Sequence, residues 1–181
     1  MRETTAAEIV SFWRDAGPAK WFEKDDEFDR TIRSRFLPAH EAAARGEFEA
    51  FAASAEGALA LVLLFDQFPR NMFRGSARAF ATDPLARAAA DEALARGFDR
   101  ATDAAMRRFF YLPFMHSELI ADQDRCVLLF EASGDAEQLG YALRHRDIVA
   151  RFGRFPHRNH ALGRDTAPAE QEFLGSGGFK G

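Results

Sequence analysis

Leu59-Ala60-Leu61-Val62-Leu63-Leu64-Phe65 is apolar at every position. A helix that carries no polar face must be covered on all sides, so this stretch reads as the centre of a domain. Ser54 stands upstream as its N-cap. Composition settles that the element is a helix. The chain of 181 residues holds 34 Ala but only 14 Val, Ile and Thr together. Ala is the strongest helix former and the β-branched residues build strands, so a sheet lacks material. Leu and 19 Phe must fill the core.

Working outward from this centre, starts and stops are plainly marked. Thr5 and Glu8 form a capping box ahead of Ile9, Phe12 and Trp13, and Gly17-Pro18 ends that helix. Phe28, Ile32 and Phe36 recur at spacing four until Pro38, which is expected to break or kink the helix. Beyond the irregular Phe68–Gly75 stretch, Thr82 or Asp83 caps a helix that runs to Gly97. A helix follows near Asp103–Phe110, another from Ser117 to Ala132, and a third from Asp135 to Gly153. Thr166 caps a last short one. The expectation is an all-α, single domain over residues 1–174, with roughly eight or nine antiparallel helices. The Gly-rich tail, 175–181, is expected to be mobile.

Several function classes are disfavoured. A net charge of −4 argues against a general nucleic-acid binder. No apolar run approaches the roughly 18 residues that span a bilayer. The single cysteine, Cys126, excludes a disulfide framework and a cysteine metal cluster. With no secretory pattern at the N-terminus, a reducing cytoplasm is the expected location. Gly-x-Ser-x-Gly, His-Glu-x-x-His, Walker and Gly-x-Gly-x-x-Gly motifs are all missing. The spacing therefore assigns no metal ligands and names no cofactor.

What remains informative is the set of polar residues on apolar faces, since each needs a partner or costs about 1–3 kcal/mol. Asp66 falls on the buried stripe of the central helix, and Arg70 lies at i+4, within pairing reach. Gln123 lies in the stripe of Leu119, Ile120, Cys126, Val127 and Phe130, with His116 two turns above it. Glu118 projects elsewhere and is expected to meet first-turn amides. His145 falls among Tyr141, Ile148, Val149 and Phe152. Between Arg144 and Arg164 stand six Arg and one acid, a local charge of +5 that includes Arg154, His157, Arg158 and Asn159. Arg beside Asn and Gly is suited to an anion or to a carboxylate clamp. His157 and His160 are three apart, which is weak evidence for a metal without a helix beneath them.

Three groups of residues together resemble a widespread bacterial family. They are Asp66-Gln67-Phe68-Pro69-Arg70-Asn71 with Phe73-Arg74-Gly75 and Phe80-Ala81-x-Asp83; Pro113-Phe114-x-His116-Ser117-Glu118 with Gln123; and His145 with Arg151-Phe152-Gly153-Arg154-Phe155-Pro156-His157-Arg158-Asn159. The family they resemble is domain of unknown function 924, and the likeness runs from Trp21-Phe22 to Leu174. Asp165-Thr166 departs from the Ser-Thr of that pattern, and Phe51 stands where Trp is common. The resemblance implies a tetratricopeptide-like helical superhelix and carries no activity with it.

Two readings follow. In the first, Asp66, His116 and His145 are candidate acid/base or ligand groups. Arg70, Asn71, Arg74, Gln123, Arg154, His157, Arg158 and Asn159 are then candidate ligand-binding residues for a small anionic molecule. Asp66, His116, His145 and His157 are expected to meet at one cavity. In the second, the polar residues are structural and the helical array is a scaffold for a peptide or protein partner. Their inward placement favours the first.

Overall fold

The computed structural model describes residues 4–178. Among them there is no strand, and the chain is all-α. The helices group into two compact units. The first takes the chain up to Arg74 together with Arg78–Pro113, and the second takes Gly75–Ala77 and the chain from Phe114 onward. Helices α1 (Ala6–Ala16), α2 (Pro18–Trp21), α3 (Asp26–Ala44), α4 (Ala55–Val62), α5 (Phe68–Met72), α6 (Asp83–Ala95) and α7 (Ala104–Arg107) belong to the first unit. The second unit begins within α8 (Leu112–Met115) and carries α9 (Ile120–Ser133), α10 (Ala136–Phe152) and α11 (Pro168–Gly175). Eleven helical segments thus stand among the described residues where eight or nine were expected, because α2, α5, α7 and α8 are single turns.

Local chemistry explains the ends. The Thr5–Glu8 capping box is present in both directions. Ser54 Oγ accepts from Gly57 N–H at 3.1 Å, and the Asp135 carboxylate from Gln138 N–H at 3.1 Å. Gly134 and Gly153, both left-handed, close α9 and α10. Three expectations are corrected. Helix α3 does not break at Pro38 and continues to Ala44. Thr82 flanks α6 without a side-chain cap, its hydroxyl being used elsewhere. The last helix is capped at Ala167, whose N–H donates 2.8 Å to the Glu170 carboxylate, and not at Thr166. In the tail, Gly175 ends α11 and Gly178 N–H donates to Phe173 O, whereas 179–181 lie outside the described residues.

The apolar stretch is buried as expected from Gly57 through Phe68. It does not remain an α-helix. Leu63–Gln67 widen into a π turn before α5 resumes at Phe68. Pro69 supplies the reason. In the wide turn Phe68 N–H donates to Leu63 O, so it no longer serves Leu64 O. The next donor in line would be Pro69, which has none. His40 of α3 replaces it, with Nδ1 2.8 Å from Leu64 O. Phe65 O, the i−4 carbonyl that Pro69 also fails, accepts the Thr82 hydroxyl at 2.7 Å. A carbonyl accepts only, so His40 carries its proton on Nδ1. Around this segment Trp13 packs its indole against Phe28, Phe68 and Phe109, and Trp21 Nε1 donates to Trp13 O at 2.6 Å.

Two substitutions test this packing. A Cβ on Gly57 would stand 2.0 Å from Phe51 O, whereas one on Gly140 in α10 meets nothing within 4 Å. Gly57→Ala is expected to destabilise by about 2 kcal/mol or more, and Gly140→Ala to stabilise by up to about 1 kcal/mol, in urea titrations. Thr82→Val, which orphans Phe65 O, is expected to cost about 1–3 kcal/mol in the same assay.

Candidate functional site

The first unit holds two polar clamps. Asp66, in the π turn and fully buried, accepts from Gln67 Nε2 at 2.6 Å and from Arg70 Nη2 at 3.4 Å. The expected i, i+4 pair is therefore formed. Arg70 also donates to Asp83 at 2.8 Å and to Ala79 O, with its guanidinium 4.8 Å from the Phe80 ring centre. Asn71 and Arg74 converge on Asp29. Asn71 Nδ2 donates at 2.7 Å and Arg74 makes a two-pronged contact at 2.8 and 3.0 Å. Arg70 and Arg74 thus spend their charge on carboxylates of their own unit.

The second unit gathers the histidines. Helix α9 starts at Ile120, three residues later than expected, and the segment 116–119 is irregular. Gln123 accounts for this. Its Nε2 lies 2.7 Å from Met115 O, 2.6 Å from Ser117 O and 3.3 Å from Phe114 O. A helix through Ser117 would need that carbonyl for Ala121. His116 therefore does not sit on the α9 stripe above Gln123; it leaves the end of α8. Its ring lies 6.5 Å from that of His145, on α10. His145 Nδ1 is 2.8 Å from Tyr141 O, which fixes the proton on that nitrogen.

Phe155 is the hub. The His145 ring meets it edge-on at 5.5 Å, His157 lies at 5.6 Å, and the Arg158 guanidinium stands 4.5 Å from its centre. Both backbone groups of Phe155 are held: its N–H donates to Glu118 Oε1 at 2.8 Å and its carbonyl accepts from Arg164 Nη2 at 3.2 Å. Arg164 closes the circuit with two bonds to Glu118, at 2.7 and 3.0 Å. Glu118 thus clamps the hub and is not spent on first-turn amides. Its role had one sequence signal, the unbalanced positive charge forty residues on.

A second clamp lies beside it. Arg154 makes two bonds to Glu170, at 2.7 and 2.8 Å, and a third to Asp165 O at 2.8 Å. Asn159 Nδ2 and Ala167 N–H also donate to that carboxylate, which the Arg154 contacts foremost push down to about pH 2. Arg154 is consumed by this carboxylate, as Arg164 is by Glu118. His160 is exposed. Among the described residues no three His, Cys, Asp or Glu groups are arranged to hold a metal. Cys126 is buried and burial pushes its thiol up, out of the reactive range.

Burial lowers His145 to about 4 and His157 to about 3, aided by the nearby positive charge of Arg158. Glu118 opposes the shift at His157, and the His116 and His145 rings reinforce it. Both imidazoles are neutral in the folded protein at neutral pH, but take a proton near 6.5 when the chain unfolds. Their contribution to stability is complete above about pH 6.5 and is lost as pH falls toward 4. Glu170 acts only below about 4.5, outside this window. Unfolding free energy is expected to fall between pH 6.5 and 5, with at most about 1.4 kcal/mol per pH unit from His145. Urea titrations at pH 7 and 5 check this, and His145→Asn is expected to flatten the slope.

The chain matches the model of a bacterial protein family of unknown function, DUF924, over residues 9–178. It is similar to a solved protein of unknown function, ATU0120 from Agrobacterium tumefaciens. The two are 55% identical with a TM-score of 0.92, over 94% of this chain and 97% of that one. No curated protein matches at a significant level. Among the described residues no helix is long and apolar enough to cross a membrane. With the family model covering nearly the whole chain, the protein belongs to the bacterial DUF924 family.

Proposed function

We propose that the protein binds a small anionic molecule at the imidazole–guanidinium cluster of its second unit. One observation carries this reading: His145, His157 and Arg158 gather about a single ring, Phe155, and His116, from a third segment, lies against His145. A guanidinium supplies permanent positive charge for a phosphate or carboxylate. Neutral imidazoles supply donors and acceptors beside it. His145, its Nδ1–H committed to Tyr141 O, holds its ring in one orientation against Phe155. His116 and His157 are only partly buried and provide the approach from solvent.

The same reading assigns the other candidates a supporting role. Arg70, Asn71, Arg74 and Arg154 hold carboxylates of the protein, Gln123 shapes the segment bearing His116, and Asn159 steadies Glu170. Asp66 serves the π turn through Gln67 and Arg70. With His145 lowered to about 4, the cluster is a hydrogen-bonding site at neutral pH and a poor general base, which supports binding over proton-transfer catalysis. A cytoplasmic setting is supported by the lone, buried cysteine.

The test is a thermal-shift panel of phosphates, nucleotides, small carboxylates and divalent metals. A subset of the anions is expected to raise the melting temperature selectively. His116→Ala is expected to abolish that shift, while Arg154→Ala lowers the melting temperature of the free protein and leaves the shift in place. A flat panel, or a shift that survives His116→Ala, overturns the proposal.

A further inference from the structure

Between α1 and α3, within the first unit, lies a cleft of about 530 Å³, a size suited to a small ligand. Phe12 and Phe28 line it, their rings stacked 5.5 Å apart, with Ala16 beside them. Five charged side chains border this apolar lining: Glu8, Asp15, Lys20, Glu27 and Arg35. Two of them are committed within the protein. Glu8 accepts from Thr5 N–H at 3.0 Å in the capping box, and Lys20 pairs with Asp25 at 3.4 Å. The carboxylates of Asp15 and Glu27 have no partner among the described residues. Arg35 stands 4.7 and 5.0 Å from the Phe12 and Phe36 ring centres and pairs with no carboxylate among those residues. The chain sets the uncommitted charges at opposite ends of the cleft. Asp15 is next to last in α1 and Glu27 lies in the first turn of α3, where the two helices are joined through α2. Arg35 is two turns further along α3, about 12 Å from Glu27 by helical rise. Ser11 and Thr31 line the stretch between, their hydroxyl protons given to Glu8 O and Glu27 O, so that their oxygens remain as acceptors.

We propose that this cleft binds a short peptide of about three residues by its two free ends. The ammonium sits at Asp15 and Glu27, and the carboxylate at Arg35. The pattern of uncommitted charge selects this ligand. A simple anion meets two bare carboxylates at one end, and a simple cation meets a bare guanidinium at the other. A single amino acid carries both charges but holds them too close together to reach both ends. An extended tripeptide separates them by about 10 Å, and the long side chains of Glu27 and Arg35 close the remainder. Its backbone N–H groups supply donors for the Ser11 and Thr31 oxygens, which a plain hydrocarbon spacer lacks. Apolar side chains on the peptide then cover Phe12, Phe28 and Ala16. The proposal is independent of the anion site, which belongs to the other unit.

Titration of the full chain with trileucine to millimolar concentration, followed by backbone amide chemical shifts, tests it. Shifts are expected in α1 and the first half of α3, and none at His116. N-acetyl-trileucine and trileucine amide are each expected to bind about 2- to 5-fold more weakly, the size of an exposed ion pair. Arg35→Gln should bind the free peptide and its amide alike while still favouring the free amine over the acetylated form. Asp15→Asn combined with Glu27→Gln should show the reverse pattern. All three side chains are exposed, so these variants are expected to retain helical circular dichroism. Unshifted α1 and α3 amides, blocked peptides that bind as well as the free one, or variants that keep both preferences overturn the inference.

Discussion

When a proline sits inside a buried helix, two carbonyls lose the donors that the helix would have given them, and no water is near to replace them. In this protein Pro69 imposes that requirement at the centre of the first unit. The chain widens into a π turn, and His40 and Thr82 deliver hydrogen bonds to Leu64 O and Phe65 O from two other parts of the sequence. Leaving either carbonyl bare would cost about as much as a lost core methyl or more. The position of α3 and the approach to α6 are tied to it, as is the burial of Asp66, which lies within the widened turn.

The same economy recurs in the second unit. Gln123 serves the carbonyls after α8, His145 that of Tyr141, and Arg164 that of Phe155. An Arg excess of 21 over 3 Lys is thereby given much of its use. A planar guanidinium can take a carboxylate with two prongs and still reach a carbonyl, as Arg154 does with Glu170 and Asp165 O. Three of the six Arg between Arg144 and Arg164 are answered by carboxylates of the protein: Arg146 by Asp124, Arg154 by Glu170 and Arg164 by Glu118. Arg158 is distinguished among the six by its place over an aromatic ring amid imidazoles.

Much of this was legible from residue patterns. Alanine abundance and the scarcity of β-branched residues determine the helical class, and Thr5, Ser54 and Asp135 mark their helix starts. The pairing of Asp66 with Arg70 follows from four-residue spacing, and the burial of Gln123 and His145 from the apolar stripes around them. What escaped had non-local causes. The π turn depends on donors at positions 40 and 82, which no window around Pro69 contains. The late start of α9 depends on Gln123, six residues beyond Ser117, taking the Ser117 carbonyl. Glu118 finds its partners at Phe155 and Arg164, and charge balance alone hinted at them. Helical periodicity also carried α9 back to Ser117, placing His116 on the wrong stripe.

The placement of the two indoles has an optical consequence. Trp13 and Trp21 both lie in the first unit, stacked 6.3 Å apart, and Tyr111 is there as well. Of the strongly absorbing side chains, only Tyr141 belongs to the second unit, on the exposed side of α10. Intrinsic emission excited at the red edge therefore watches one half of the molecule and is blind to the half that holds the histidine cluster. Far-ultraviolet ellipticity sees both. Coincident or separated melting curves from these two signals would show directly whether the halves come apart together.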